Sequence, residues 1–178
     1  NPTRLGVNAN TAQAIDWGFA QGADFVTHVE DDVCLAPDGL AYFAWAAEAF
    51  KDDPTIASVT GYNRLQAMPP PSAWHTVQSR AYFHPWGVGF WRDSWQALRH
   101  ATESQRWTWD CVLLREMQRR RLREVYPVLS RVQNIGRHSS IYGDQAPPPS
   151  WYDEHHFLRV HAGLVTVPSG TFNYEGGK

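Results

Sequence analysis

Residues 10 to 60 alternate helical and strand periodicity, and that rhythm limits the folds open to this chain more than any other feature. "NTAQAIDWGFAQ", residues 10 to 21, places Ala12, Ile15, Phe19 and Ala20 near one helical face, with Asn8 or Asn10 as cap and Gly22 as stop. "ADFVTHVEDD" follows with Phe25, Val26, Thr27 and Val29, a β-branched and aromatic run too short for a helix. It predicts a buried strand whose carboxyl end carries Glu30, Asp31 and Asp32. Asp38 is placed to cap a second helix, "GLAYFAWAAEAFKDD", with Leu40, Phe43, Ala47 and Phe50 inward, and "TIASVT" is the next strand. Helix, strand, helix, strand predicts an α/β fold of Rossmann-like type: a mixed, mostly parallel sheet flanked by helices, whose ligands gather at the strands' carboxyl ends.

Downstream, periodicity fades over residues 62 to 80 around "MPPPSAW", which reads as an exposed loop or lid-like excursion. "AYFHPWGVGFWRDSWQALRH" sets Gly87 and Gly89 between aromatics and then opens a short helix near Asp93. "WTWDCVLLREMQRRRL", residues 107 to 122, predicts a helix with Val112, Leu113 and Met117 inward and Arg119 to Arg121 at its end, where cations suit the helix dipole. "REVYPVLSRVQNIG" returns as an extended segment, and the stretch from Gln145 to the end carries no fold signal. Chain length predicts a single domain spanning residues 1 to 178.

Sixteen basic against 18 acidic residues give a formal charge of -2, so no global field gathers nucleic acid or an anionic membrane. No apolar run reaches the ~18 residues of a membrane span. Two cysteines without a CxxC spacing exclude a thiolate zinc site, and none of the six asparagines lies in a glycosylation sequon; both fit a reducing, cytoplasmic setting. Nine tryptophans are many for 178 residues; most are expected in the core, with Trp86 and its neighbours Phe90 and Trp91 best placed to stack on a sugar.

Three adjacent carboxylates repel one another, and a hard divalent cation, Mn²⁺ or Mg²⁺, removes that cost while leaving positions open to substrate phosphates. Side chains alternate along a strand, so Glu30 and Asp32 cannot both be direct ligands unless the chain turns there. Asp32, beside the turn, is the metal candidate, and Asp31 is placed to reach a sugar or a metal-bound water. Standing alone, the same trio also reads as an acidic turn that caps the next segment.

The longer context "HVEDDVCLAPDGLAYFAWA", joined to the downstream "PWGVGFW", "WDCVLLREM" and "YPVLSRVQNIGRHSS", resembles GT-A fold glycosyltransferases, and the N-acetylglucosaminyltransferase I family (glycosyltransferase family 13) in particular. The likeness runs in order over residues 8 to 140. It implies metal binding at Asp32, donor contacts from Glu30 and Asp31, and a general base at Asp110, which otherwise reads as a first-turn acid favouring the helix dipole. It also implies an acceptor side formed by Trp86, Gly87, Gly89 and Trp109. Arg137 is a candidate for a donor phosphate and His138 for a late metal ligand; His155 and His156 lack the spacing of a metal pair.

The implied activity is inverting, metal-dependent transfer of a sugar from a nucleotide diphosphate, UDP by likeness, to a hydroxyl of a glycan. Because a GT-A enzyme has a nucleotide-binding half before its metal strand, the resemblance further implies that the chain is partial at its N-terminus or that another segment completes the nucleoside pocket. The rival expectation is a non-catalytic carbohydrate-binding or scaffold domain of the same descent. A nucleotidyltransferase ranks last, since no basic, Gly-rich triphosphate loop is present.

Overall fold

A computed structural model describes residues 5–64, 68–104, 106–134 and 172–177. Among the described residues four helices, α1 (Val7–Ala20), α2 (Gly39–Ala49), α3 (Arg92–Leu98) and α4 (Trp109–Arg120), accompany eight strands. Six strands, β1 (Phe25–His28), β3 (Ile56–Thr60), β4 (Thr76–Arg80), β5 (Val88–Trp91), β6 (Arg123–Pro127) and β8 (Asn173–Gly177), form one sheet in the order β1-β5-β3-β6-β4-β8. The remaining two, β2 (Val33–Leu35) and β7 (Val132–Asn134), pair as a separate antiparallel ribbon. The α/β class is as expected and the sheet is mixed: β3–β6 and β4–β8 are parallel, while β1–β5, β3–β5 and β4–β6 are antiparallel.

Two apolar layers sandwich this sheet. On one face α1, α3 and α4 bury Ile15, Phe19, Trp95, Leu98, Trp109, Leu113 and Met117 against Ala57, Val88 and Phe90. On the other, Tyr42, Phe43 and Ala46 of α2 pack on Ile56, Val59, Val77, Val125 and Phe172. Alternation along β1 splits its side chains between the layers: Val26 joins the α1 side and Phe25 the α2 side.

Several local expectations are corrected. Helix α1 starts at Val7 after Gly6, whose φ of +77° suits glycine, so neither asparagine caps it; Asn8 Nδ2 instead donates to Ser104 O and Trp107 O, both at 2.8 Å. Leu40 faces solvent at 68% exposure, because α2 buries Tyr42, Phe43 and Ala46. Asp38 occupies the N-cap position of α2 without a side-chain cap bond; its carboxylate is turned inward to Arg131, whose Nε donates to Oδ2 at 3.0 Å. The loop expected over residues 62 to 80 ends in β4, where Thr76, Val77 and Ser79 are buried, and β5 starts just after Gly87 and takes in Gly89.

The edge formed by the carboxyl ends of β1, β3 and β6 is stitched together by backbone. Gly61 N donates to Gly87 O at 2.7 Å, Arg131 N to Gly61 O at 2.7 Å, and Ala36 N to Arg131 O at 2.8 Å. These bonds fix the β2–β7 ribbon beside the acids.

Candidate functional site

Strand β1 stops at His28, so the three acids lie beyond it in a tight turn closed by Val33 N donating to Glu30 O at 3.1 Å. The chain thus turns where two-sided strand geometry would have separated Glu30 from Asp32. Val33 enters the ribbon paired with Asn134, which anchors the turn to the segment after β6. Asp31 is exposed, while Glu30 and Asp32 are half-buried.

Helix α4 opens at the same edge, with Trp109 and half-buried Asp110 in its first turn. Glu30 is the meeting point: its carboxyl is pushed up to about 7 by burial first, then by the negative charges of Asp32, Asp110 and Asp31, against a hydrogen bond from the Trp109 side chain. The "VEDD" and "WD" motifs, far apart in sequence, therefore share one electrostatic site. His28, the last residue of β1, packs edge-on to Trp109 with ring centroids 5.6 Å apart. Burial lowers its pKa, and its Nε2 is buried without a hydrogen-bond partner among the described residues. Sequence reasoning missed His28, because its contact with the Trp109 ring joins segments far apart in the chain.

Asp110, Glu30, Asp31 and Asp32 are thus brought together. Trp86 is half-buried at this edge, packed against the cluster of Val33, Tyr62, Leu129 and Val132 and edge-on to Tyr62 at 4.7 Å. Trp109 departs from its expected acceptor role: at 2% exposure it offers no ring face to a sugar, and it serves the site through Glu30. The two glycines are likewise explained by packing. A Cβ on Gly89 would lie 2.2 Å from Phe25 Cζ, and one on Gly87, at φ +55°, would lie 2.7 Å from Val132 Cγ1. Arg137 and His138 lie outside the described residues, as do His155 and His156.

Among the described residues no three His, Cys, Asp or Glu side chains converge as a ready-made metal cage. The donor set fits a hard cation in another manner. Carboxylate oxygens crowded at a tight turn would supply one or two ligands to such an ion, with phosphate and water oxygens able to complete its shell. A cavity of about 890 Å³ lies elsewhere, lined by Asp24, Lys51, Ile56, Trp91, Arg92 and Leu122. Ile56 begins β3, Trp91 ends β5 and Leu122 precedes β6, so that cavity is at the strand ends opposite the acids.

No helix among the described residues is long and apolar enough to cross a membrane. No family model matches this sequence, and no curated protein matches it.

Proposed function

We propose that the chain is a metal-dependent, inverting glycosyltransferase acting on a nucleotide-diphosphate sugar, with UDP as the first nucleotide to test. One observation carries the reading: Glu30 feels Asp31, Asp32 and Asp110 together, so the acidic turn and the first turn of α4 lie close enough for their charges to interact. Asp32 is assigned to hold Mn²⁺ or Mg²⁺, and Asp31 and Glu30 to orient the donor. When bound, the ion offsets charge growing on the diphosphate leaving group. Asp110 takes the proton from an acceptor hydroxyl as that oxygen bonds to the anomeric carbon; the bond from that carbon to the diphosphate breaks, releasing nucleoside diphosphate. Trp109 holds Glu30 in place, and His28, neutral through burial, backs the Trp109 ring.

Calorimetric titration with UDP, GDP and their sugars, with and without Mn²⁺, tests the donor site. Metal-dependent binding that disappears in Asp32→Ala is expected, together with loss of transfer in Asp110→Asn. Near-wild-type turnover in either variant would refute the assignment. The rival is a non-catalytic sugar-binding domain. That rival predicts glycan binding independent of both nucleotide and metal.

A further inference from the structure

Trp107 lies three residues before Asp110, on the loop leading into α4, and remains 41% exposed in a chain that buries most of its large rings. Its backbone is pinned: Asn8 Nδ2 donates to Trp107 O at 2.8 Å and to Ser104 O at 2.8 Å, so α1 fixes the loop carrying the indole. Two guanidinium groups rest on that ring, Arg115 with Cζ 4.3 Å and Arg106 with Cζ 5.5 Å from its centroid. Every other contact made by the nearby arginines differs in kind. Arg99 binds Asp16 and Glu103, and Arg119 and Arg120 both bind Glu116. Among the described residues neither Arg106 nor Arg115 has a carboxylate partner.

An exposed indole is an apolar platform of the kind that stacks on a sugar's C–H face, and two guanidiniums without counterions supply charge-assisted donors for an oxyanion. Neither group needs the other for stability at an exposed site, where a cation–π contact is worth only ~0.5–1 kcal/mol. Their juxtaposition instead matches a ligand that is both a sugar and an anion. A plain neutral glycan would leave both charges unused, and a simple phosphate would leave the ring unused.

We infer that Trp107, Arg106 and Arg115 form a subsite for an anionic sugar, a uronic acid or a sulfated residue, beside the start of the helix that carries Asp110. A role for this subsite in binding the acceptor rests on the glycosyltransferase reading, but the sugar site itself is tested by binding alone.

Calorimetry of the intact chain, without nucleotide or metal, would use three probes: trigalacturonate, a sulfated heparin-type disaccharide and neutral maltotriose. Binding of an anionic probe about tenfold or more tighter than maltotriose is expected, weakening as NaCl rises. Whichever anionic probe binds identifies the carboxylate or the sulfate as the recognised group. Arg106→Gln/Arg115→Gln should abolish the preference for charge, Trp107→Ala should weaken every sugar, and Trp107→Phe should retain most of the affinity. No binding of any probe, equal affinity for charged and neutral probes, or an unchanged preference in the double arginine variant would overturn the inference. If the anionic probe binds while no donor sugar is ever transferred, the transferase reading fails and the sugar site stands.

Discussion

The Trp109 side chain interacts with the Glu30 carboxyl and favours its ionised form, joining the first turn of α4 to the turn that follows β1. It is the one contact on Glu30 that favours the ionised form; burial and the three neighbouring acids all oppose it. Trp109→Phe keeps a ring in the core and deletes the N–H. The smaller ring should cost ~1–3 kcal/mol at any pH, and the lost bond ~1–2 kcal/mol more where Glu30 is ionised. Urea denaturation near pH 5 and near pH 8 would separate the two: the loss is expected to be larger at the higher pH, and an equal loss at both would mean that the hydrogen bond contributes nothing.

Glu30 itself should make the fold less stable as the solution becomes more alkaline. Its carboxyl is raised to about 7 in the folded chain from an ordinary 4.5, so the native state holds the proton more tightly than the unfolded state does. Stability from this group is therefore greatest below the unfolded value, falls as pH rises from there to about 7, and stays low above it. Glu30→Gln should gain on the order of 1–3 kcal/mol near pH 8 and almost nothing near pH 4.5. Millimolar Mn²⁺ should narrow that gap by stabilising the wild type at the higher pH only, an effect absent in Asp32→Ala. Thermal melts with and without the ion would check both statements.

The first half of the fold was legible because its periodicities are strong and local. Ile15 and Phe19, Phe43 and Phe50, and Ile56 to Thr60 lie where simple spacing puts them. Strands β4 and β5 were not legible: "TVQSR" is polar because Gln78 and Arg80 occupy the face away from α2, and the glycine in "VGFW" hides a strand signal that only the ring of Phe25 explains. Strand β8 lies in a stretch with no periodic pattern and exists through pairing with β4. At the site, Asp110 stood out only through the resemblance, whereas the acidic turn could be read from residue type. The role of Trp109 could not, since stacking on a sugar and packing in a core ask for the same side chain.

Asp38 reads as a helix cap from sequence, yet its partner is Arg131, and both side chains are sealed from solvent at 2% and 0% exposure. Arg131 also donates through its other nitrogens to Leu129 O and Trp74 O, tying the start of α2 to the approach to β7 and to the 3₁₀ segment before β4. Arg131→Met should therefore strand a buried carboxylate and two carbonyls, at a cost of ~3–5 kcal/mol. Asp38→Leu/Arg131→Met should recover a large part of that loss, because replacing both charges removes the unpaired ion. Guanidinium denaturation of the two single variants and the double variant closes the cycle; a double variant as unstable as the sum of the singles would mean that the pair is not coupled.

Gly89 is held to glycine by its neighbour across β1 rather than by a ligand. Its backbone φ is unremarkable, but an added Cβ would meet Phe25 Cζ at 2.2 Å and Cε1 at 2.6 Å, and the Phe25 ring is itself set edge-on to Trp91 at 5.0 Å. The ring cannot retreat without breaking that contact, so Gly89→Ala should cost ~1–3 kcal/mol through overpacking. Phe25→Leu frees part of the space and should make the second substitution nearly neutral, leaving Gly89→Ala/Phe25→Leu little worse than Phe25→Leu alone. An acceptor role for Gly89 predicts the opposite pattern: sugar binding would suffer in Gly89→Ala whether or not Phe25 is trimmed. Stability and sugar affinity measured on the same four proteins distinguish packing from recognition at this position.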